Sequence, residues 1–251
     1  VAGALDHAIV REIAREVARL GYATFWANDT PGGDGLASLA AAARVTSSIR
    51  LGVGVIAVDR VPASVILNRV DELGLPRERL IVGIGSGGAR KGSLDLIRAN
   101  ATALHEAGIR VVVGALGPKM VALSGEVADG VLLNWLTPVA AARSVDELRV
   151  AAGDRTVEAI AYVRTALDDS ALAKLESESL RYESFPQYGA HFERMGVRAI
   201  DTCVTGPTGA AVQAGLAGFD DIVDEVVARA IVANESATNY LDLIRAAAPG
   251  V

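Results

Sequence analysis

Two bare turns in this 251-residue chain have residues and spacing suited to holding an anion. The first is "GALGPKM", residues 114 to 120, set between the apolar run "IRVVV" and a helix-like segment. Glycine permits backbone conformations and close approaches that a side chain blocks, and Pro118 suits the first turn of a helix whose leading amides lack internal partners. Strand, bare turn and helix start together make a seat for a phosphate. The second turn, "GIGSGG", matches the dinucleotide spacing G-x-G-x-x-G through Gly83, Gly85 and Gly88. That spacing also wants an acid at the end of the next strand to hold a ribose, yet Glu106 lies before that strand and "IRVVVGAL" ends without one. The glycines therefore read as room for another ligand, or as a plain strand-to-helix turn.

Polar and aromatic residues gather at the ends of the other apolar runs: Trp26, Asn28 and Asp29, then Asp59 and Arg60, then Asn134, Trp135 and Thr137, then Arg164 and Thr165, then Thr205. Amides, hydroxyls and aromatic faces of this kind suit a flat ring with a phosphate tail and a small-molecule substrate. Other chemistries lack their residues. His7, His105 and His191 have no second ligand at helical spacing, so they read as solvated surface groups and no metal site is expected. No Ser-His-Asp pattern or nucleophile elbow appears. The single cysteine, Cys203, lies in an apolar run, reads as a small core residue and excludes an internal disulfide.

The elements that position these residues follow from the spacing of apolar positions. Ile9, Ile13, Val17 and Leu20 recur at helical spacing over residues 6 to 20. Short apolar runs then alternate with helical segments at 22–28, 49–58, 79–85, 109–116, 130–136, 157–166 and 200–206. These runs are almost continuously apolar, as strands buried on both faces of a parallel sheet are, and the segments between them supply the crossovers. A doubly wound sheet and a (βα)8 barrel both have this pattern, and seven strands with a helix in front favour the barrel. Its eighth strand belongs before residue 6, where only "VAGAL" stands, so a short, distorted or missing first strand is expected. The longest connection, residues 168–199, carries a charged helix and a second short one, placed to cover the pocket or to meet another subunit. At 51% hydrophobic and 22% charged, the chain can bury one large core, and it is read as a single domain over residues 1–251. A net charge of −6 without basic clusters argues against nucleic acid. No apolar run is long enough to cross a bilayer, and a cytoplasmic protein is expected.

The stretches "ALGPKMVALSGEVADGVLLNWLTP" (115–138), "RLIVGIGSG" (79–87) and "RLGVGVIAV" (50–58) resemble the luciferase-like monooxygenase superfamily, most of all its coenzyme F420-dependent oxidoreductases. "GYATFWAND" resembles that family's second strand and "DDIVDEVVARAI" (220–231) its C-terminal helix. The resemblance implies a TIM barrel that binds F420, or FMN in other branches, at the strand C-termini, and commonly a homodimer. It implies that the cofactor phosphate is held by the turn Gly114, Ala115, Leu116 and Gly117 with Asn134. It implies a non-prolyl cis peptide at Gly54–Val55 behind the ring, with Ser86 and Gly87 flanking it. Trp26, Asn28 and Trp135 then bound the substrate side. Where relatives carry a histidine, this chain reads "NDT", so Asp29 is the candidate proton relay. The expected activity is hydride transfer between F420 and a small organic substrate. An FMN-dependent monooxygenase, a non-catalytic flavin or deazaflavin carrier and a cofactor-free assembly partner are the alternatives.

Overall fold

Six of the apolar runs form consecutive neighbours of one parallel sheet in the computed structural model, which describes residues 1–30, 32–89 and 91–249. They are β1 (Thr24–Ala27), β2 (Arg50–Ala57), β3 (Leu80–Gly85), β4 (Arg110–Ala115), β5 (Gly130–Asn134) and β6 (Glu158–Leu167). Two more strands, β7 (Val204–Gly206) and β8 (Glu225–Ile231), both pair with β6. Thr165 and Ala166 are in register with both, so β7 and β8 lie on opposite edges of β6. β7 therefore continues past the end of β5, and β8 is the last strand of the curve.

The crossovers are α1 (His7–Arg19), α2 (Gly35–Ala43), α3 (Ala63–Glu72), α4 (Ser93–Glu106), α5 (Pro118–Val127) and α6 (Pro138–Ala152). After β6 come α7 (Leu172–Glu183) and α8 (Pro186–Met195), then α9 (Gly209–Leu216) and α10 (Ala237–Ala246). Asp6 and Thr137 cap α1 and α6 by accepting the amides of Ala8 and Ala140, as residues with short side-chain oxygens do at helix starts. The larger apolar cluster packs the helices against the outer face of the sheet.

A second cluster shows how far the sheet curls. Trp26, Ile81, Val112, Leu132, Ile160, Tyr162 and Val227 pack together with Val55 against them, so seven strands meet on the inner face. Trp26 Nε1 donates to Glu225 at 2.8 Å, joining the first strand to the last across the interior. Val1 and Ala2 run beside the end of β1, the Val1 amine donating to the Trp26 carbonyl at 2.8 Å. The Asn28 amide donates to the Val1 carbonyl at 2.9 Å, and Ala2 makes a parallel bridge to Asn28. Among the described residues β1 pairs only with β2 and β8 only with β6, so the barrel is open at this seam, where a short, distorted or missing first strand was expected.

One reading from the resemblance is corrected. Residues 220–231 do not form the C-terminal helix; residues 225–231 are β8, in register with Ile160–Ala166, and the last helix is α10. Glu225 and Arg229 stand four apart, the spacing of a helical ion pair, but here both face the barrel interior, in register with Ile160 and Arg164. Inward-facing charge hid the alternation of a strand.

Candidate cofactor site at the barrel mouth

Inner positions near the C-terminal ends of β2, β3 and β4 are glycines, and one side chain uses the room they leave. The pairing of β2 with β3 shifts register between Val53 and Ile56, and the Gly54–Val55 peptide is cis. The bulge turns Val55 into the barrel. A Cβ built on Gly85 or Gly114 would lie 2.9 Å from a Val55 methyl, and one on Gly83 would lie 3.4 Å from it. Contacts below 3 Å are not tolerated in a packed interior, so Gly85 and Gly114 are what admit Val55, while Gly83 makes room for the Val53 carbonyl, 2.5 Å from where its Cβ would be. Val55 and the bare backbones around it form an apolar floor at the mouth.

A polar wall stands beside the floor. Tyr162 donates its hydroxyl to Asn28 Oδ1, and burial raises its phenol pKa. Arg164, buried, donates to Asn134 Oδ1 at 2.7 Å and to Glu178 of α7 at 2.7 Å. Burial works to raise the Glu178 pKa, but Arg164 and Arg229 overcome it and the carboxyl stays below its ordinary range. The Arg164 guanidinium lies 3.4 Å from the centre of the Trp135 ring, a desolvated cation–π contact.

Trp135 is fixed from several sides. Its φ of 56° lies in the left-handed region, which costs a non-glycine residue roughly 1–2 kcal/mol. Tyr182 and Phe192 from α7 and α8 hold the ring at 5.0 and 5.7 Å. His191 Nε2 donates to the Trp135 carbonyl at 2.8 Å, while Nδ1 accepts from Arg194 at 3.2 Å. That network requires the neutral ring, and burial lowers its pKa. His191 is thus not a solvated surface group as its sequence context suggests, whereas His7 and His105 are exposed. Residues 168–199 do cover the mouth on this side.

The phosphate seat expected at "GALG" is the start of α5. Gly117 caps the helix with no side-chain bond, and Pro118 is its first residue. Arg194 reaches this turn and donates to the Leu116 carbonyl at 2.9 Å, so a cation stands beside the helix start. Gly114, Leu116 and Gly117 are half-buried and Ala115 is buried. The other glycine turn is differently employed. Gly87 has φ +60°, and a Cβ there would fall 1.9 Å from the Asp59 carboxylate, which accepts the Gly88 amide at 2.8 Å. An acid already occupies "GSGG", which argues against a dinucleotide phosphate there. Ser86 remains half-buried at the rim.

The remaining expected residues fall in distinct places. Asn28 and Asn134 join the polar wall through Tyr162 and Arg164. Trp26 lies deep in the barrel, its ring where a Gly52 Cβ would be, and Trp135 lies under Arg164. Asp29 Oδ1 accepts the Gly35 amide at 3.1 Å at the start of α2, and burial raises its pKa. Arg164 was visible in sequence only as a strand-end residue, and Tyr162, Glu178, His191, Arg194 and Arg229 not at all as site residues. A charged residue inside an apolar strand is the signal that could have found Arg229.

The residues fit a flat ring with a phosphate tail: a floor that added Cβ atoms would fill, hydrogen-bonding groups beside it, and an uncapped helix start next to a cation. Residues 3–94 match the family model for luciferase-like monooxygenases. None of the curated proteins matches the chain by sequence. Among solved structures, the coenzyme F420-dependent tetrahydromethanopterin reductase of Methanopyrus kandleri is 16% identical, with 97% of this chain and 95% of that chain covered at a TM-score of 0.67. An F420-dependent secondary alcohol dehydrogenase, in complex with an F420–acetone adduct, is 11% identical over 95% of this chain and 94% of that one, at a TM-score of 0.71. The oxygenating constituent of 3,6-diketocamphane monooxygenase from Pseudomonas putida, in complex with FMN, is 12% identical over 96% and 92%, at a TM-score of 0.70. At such identities the likeness to these structures concerns the fold.

Proposed function

We propose that this luciferase-like chain is an oxidoreductase that holds coenzyme F420 at the barrel mouth and passes a hydride between it and a small organic substrate. The observation that carries this reading is the Val55 floor, admitted by Gly85 and Gly114 and bordered by the Asn28–Tyr162 and Asn134–Arg164 pairs. The bound deazaflavin would supply the carbon that gives or takes the hydride. Val55 and Gly54 back the ring and fix its height, and Ser86 and Gly87 flank it. The Gly114–Gly117 turn, the α5 amides and Arg194 hold the phosphate, where a helix start and a cation both favour negative charge.

The helices α7 and α8 exclude water on the Trp135 side, which strengthens every charge interaction within. Asp29 holds the proton that the substrate gains or loses. A carboxyl raised by burial stays protonated to higher pH and is a better acid near neutrality. Asp29→Asn should slow turnover by about 10²-fold or more while leaving cofactor affinity near normal.

FMN is the second reading, favoured by the fold shared with the diketocamphane enzyme. Oxygen uptake separates the two. Purified protein given reduced F420 and a panel of small carbonyl compounds should oxidise the deazaflavin without consuming oxygen. Oxygen consumption with reduced FMN, and no reaction with F420, would replace this reading with a monooxygenase.

A further inference from the structure

The outward face of α6 carries the two most exposed of the large apolar side chains among the described residues, Val139 at 66% and Val150 at 84%. They stand eleven residues apart, so about three helical turns separate them and both fall on one stripe. Arg143 and Asp146 lie between them on that stripe, both exposed, while Ala141, Val145, Leu148 and Ala152 on the opposite side are buried. One exposed valine is ordinary. Two that frame a cation and an anion on the longest helix make a patterned surface. Among the described residues Arg143, Asp146, Glu147 and Arg149 form no ion pair, within α6 or outside it. Arg69 of α3 and Arg98 of α4, on comparable outer faces, each hold an acid.

The stripe is complementary to itself. Val139 and Val150 lie equally far from the midpoint between Ser144 and Val145, and so do Arg143 and Asp146. On the flanks Ala142 answers Glu147, and Ala140 answers Arg149, about the same midpoint. A second α6 laid antiparallel about a two-fold axis there sets each Val139 beside Val150 of the other copy and each Arg143 near the other Asp146. The long side chains of Glu147 and Arg149 then lie over alanines. A parallel pairing would set Arg143 against Arg143 and Asp146 against Asp146, which repel, and would align the two helix dipoles.

We propose that the outward face of α6 is a docking surface for a second copy of this chain, the two helices antiparallel about that axis. The inference stands apart from the oxidoreductase reading and from the barrel mouth. One helix pair falls at the small end of specific interfaces, so the dimer is reversible, with a dissociation constant of roughly 1–100 μM. Sedimentation equilibrium of the unaltered protein should show monomer giving way to dimer across about that range. Arg143→Asp and Asp146→Arg should each weaken association at least about tenfold, because each puts like charges together on both sides of the axis. An equimolar mixture of the two variants should dimerise again, since every cation then faces an anion, and so should the chain carrying both changes. An unaltered protein that stays monomeric up to about 200 μM would overturn the proposal. So would single variants that dimerise undiminished, or a mixture of the two folded variants that does not associate. The first comparison uses the unaltered chain, so a variant that fails to fold does not shield it.

Discussion

A methyl group added to Gly114 would sit 2.9 Å from Val55 Cγ1, so the floor of the site is a pairwise fit. Gly114→Ala should destabilise the fold by roughly 1–3 kcal/mol through overpacking and weaken cofactor binding as Val55 is displaced. Val55→Ala in the same chain should restore much of the stability; no coupling in this double-mutant cycle, read by urea denaturation, would refute the fit. His191 gives a pH signature. Its folded-state pKa is lowered, so the unfolded chain binds more protons as pH falls. The stability that the neutral ring contributes is present above about pH 6.5 and is lost as pH drops through the folded value. The melting temperature should therefore fall between pH 7.5 and 5.5 in the native protein and fall less in His191→Gln; parallel profiles would remove the histidine from the network. Neither relation was legible in the sequence. Val55 and Gly114 are 59 residues apart, and His191 resembles any polar residue on an amphipathic helix until α8 folds onto Trp135.

At the scale of elements, α7 is tied to the mouth through one buried ion pair. Arg164 and Glu178 are 3% and 12% exposed and 2.7 Å apart. Breaking such a pair leaves one charge uncompensated, which costs roughly 3–5 kcal/mol. Arg164→Met should lose about that much, and because Arg164 also binds Asn134 and covers Trp135, proteolysis within residues 168–199 should accelerate. Unchanged stability and cleavage would mean that α7 is held by its aromatic contacts alone. The strands β1 to β6 were legible because each is buried on both faces, which leaves an apolar run with no competing period. The helices of residues 168–199 were legible from their charged, periodic pattern. β8 was not, because the charges of Glu225 and Arg229 point into the barrel, where a strand of this kind is expected to be apolar.

Across the whole molecule the charge distribution opposes the net charge. The chain carries −6, yet Arg194 stands beside the proposed phosphate seat at the Leu116 turn. A cation at the seat attracts an anionic ligand, so the association rate of a phosphate-bearing cofactor should fall as ionic strength rises. A stopped-flow rate independent of salt would detach Arg194 from cofactor binding. Among the described residues no helix is long and apolar enough to cross a membrane. The barrel reading followed from strand count and alternation, which the parallel order β1 to β6 bears out.

The central claim is a phosphate-bearing flavin or deazaflavin at the mouth, and Gly117 offers the most direct test. Its extended backbone accepts any residue, and aspartate is a favoured helix cap, so Gly117→Asp should keep or raise stability while placing a negative charge at the phosphate seat. Purified protein is titrated with F420 and, separately, with FMN, followed by fluorescence, alongside Gly117→Asp and the uncharged cap Gly117→Ser. The account predicts saturable F420 binding, largely kept by Gly117→Ser and weakened at least about tenfold in a Gly117→Asp protein that melts no lower than the native chain. Binding of neither cofactor, or undiminished F420 binding by Gly117→Asp, would contradict it.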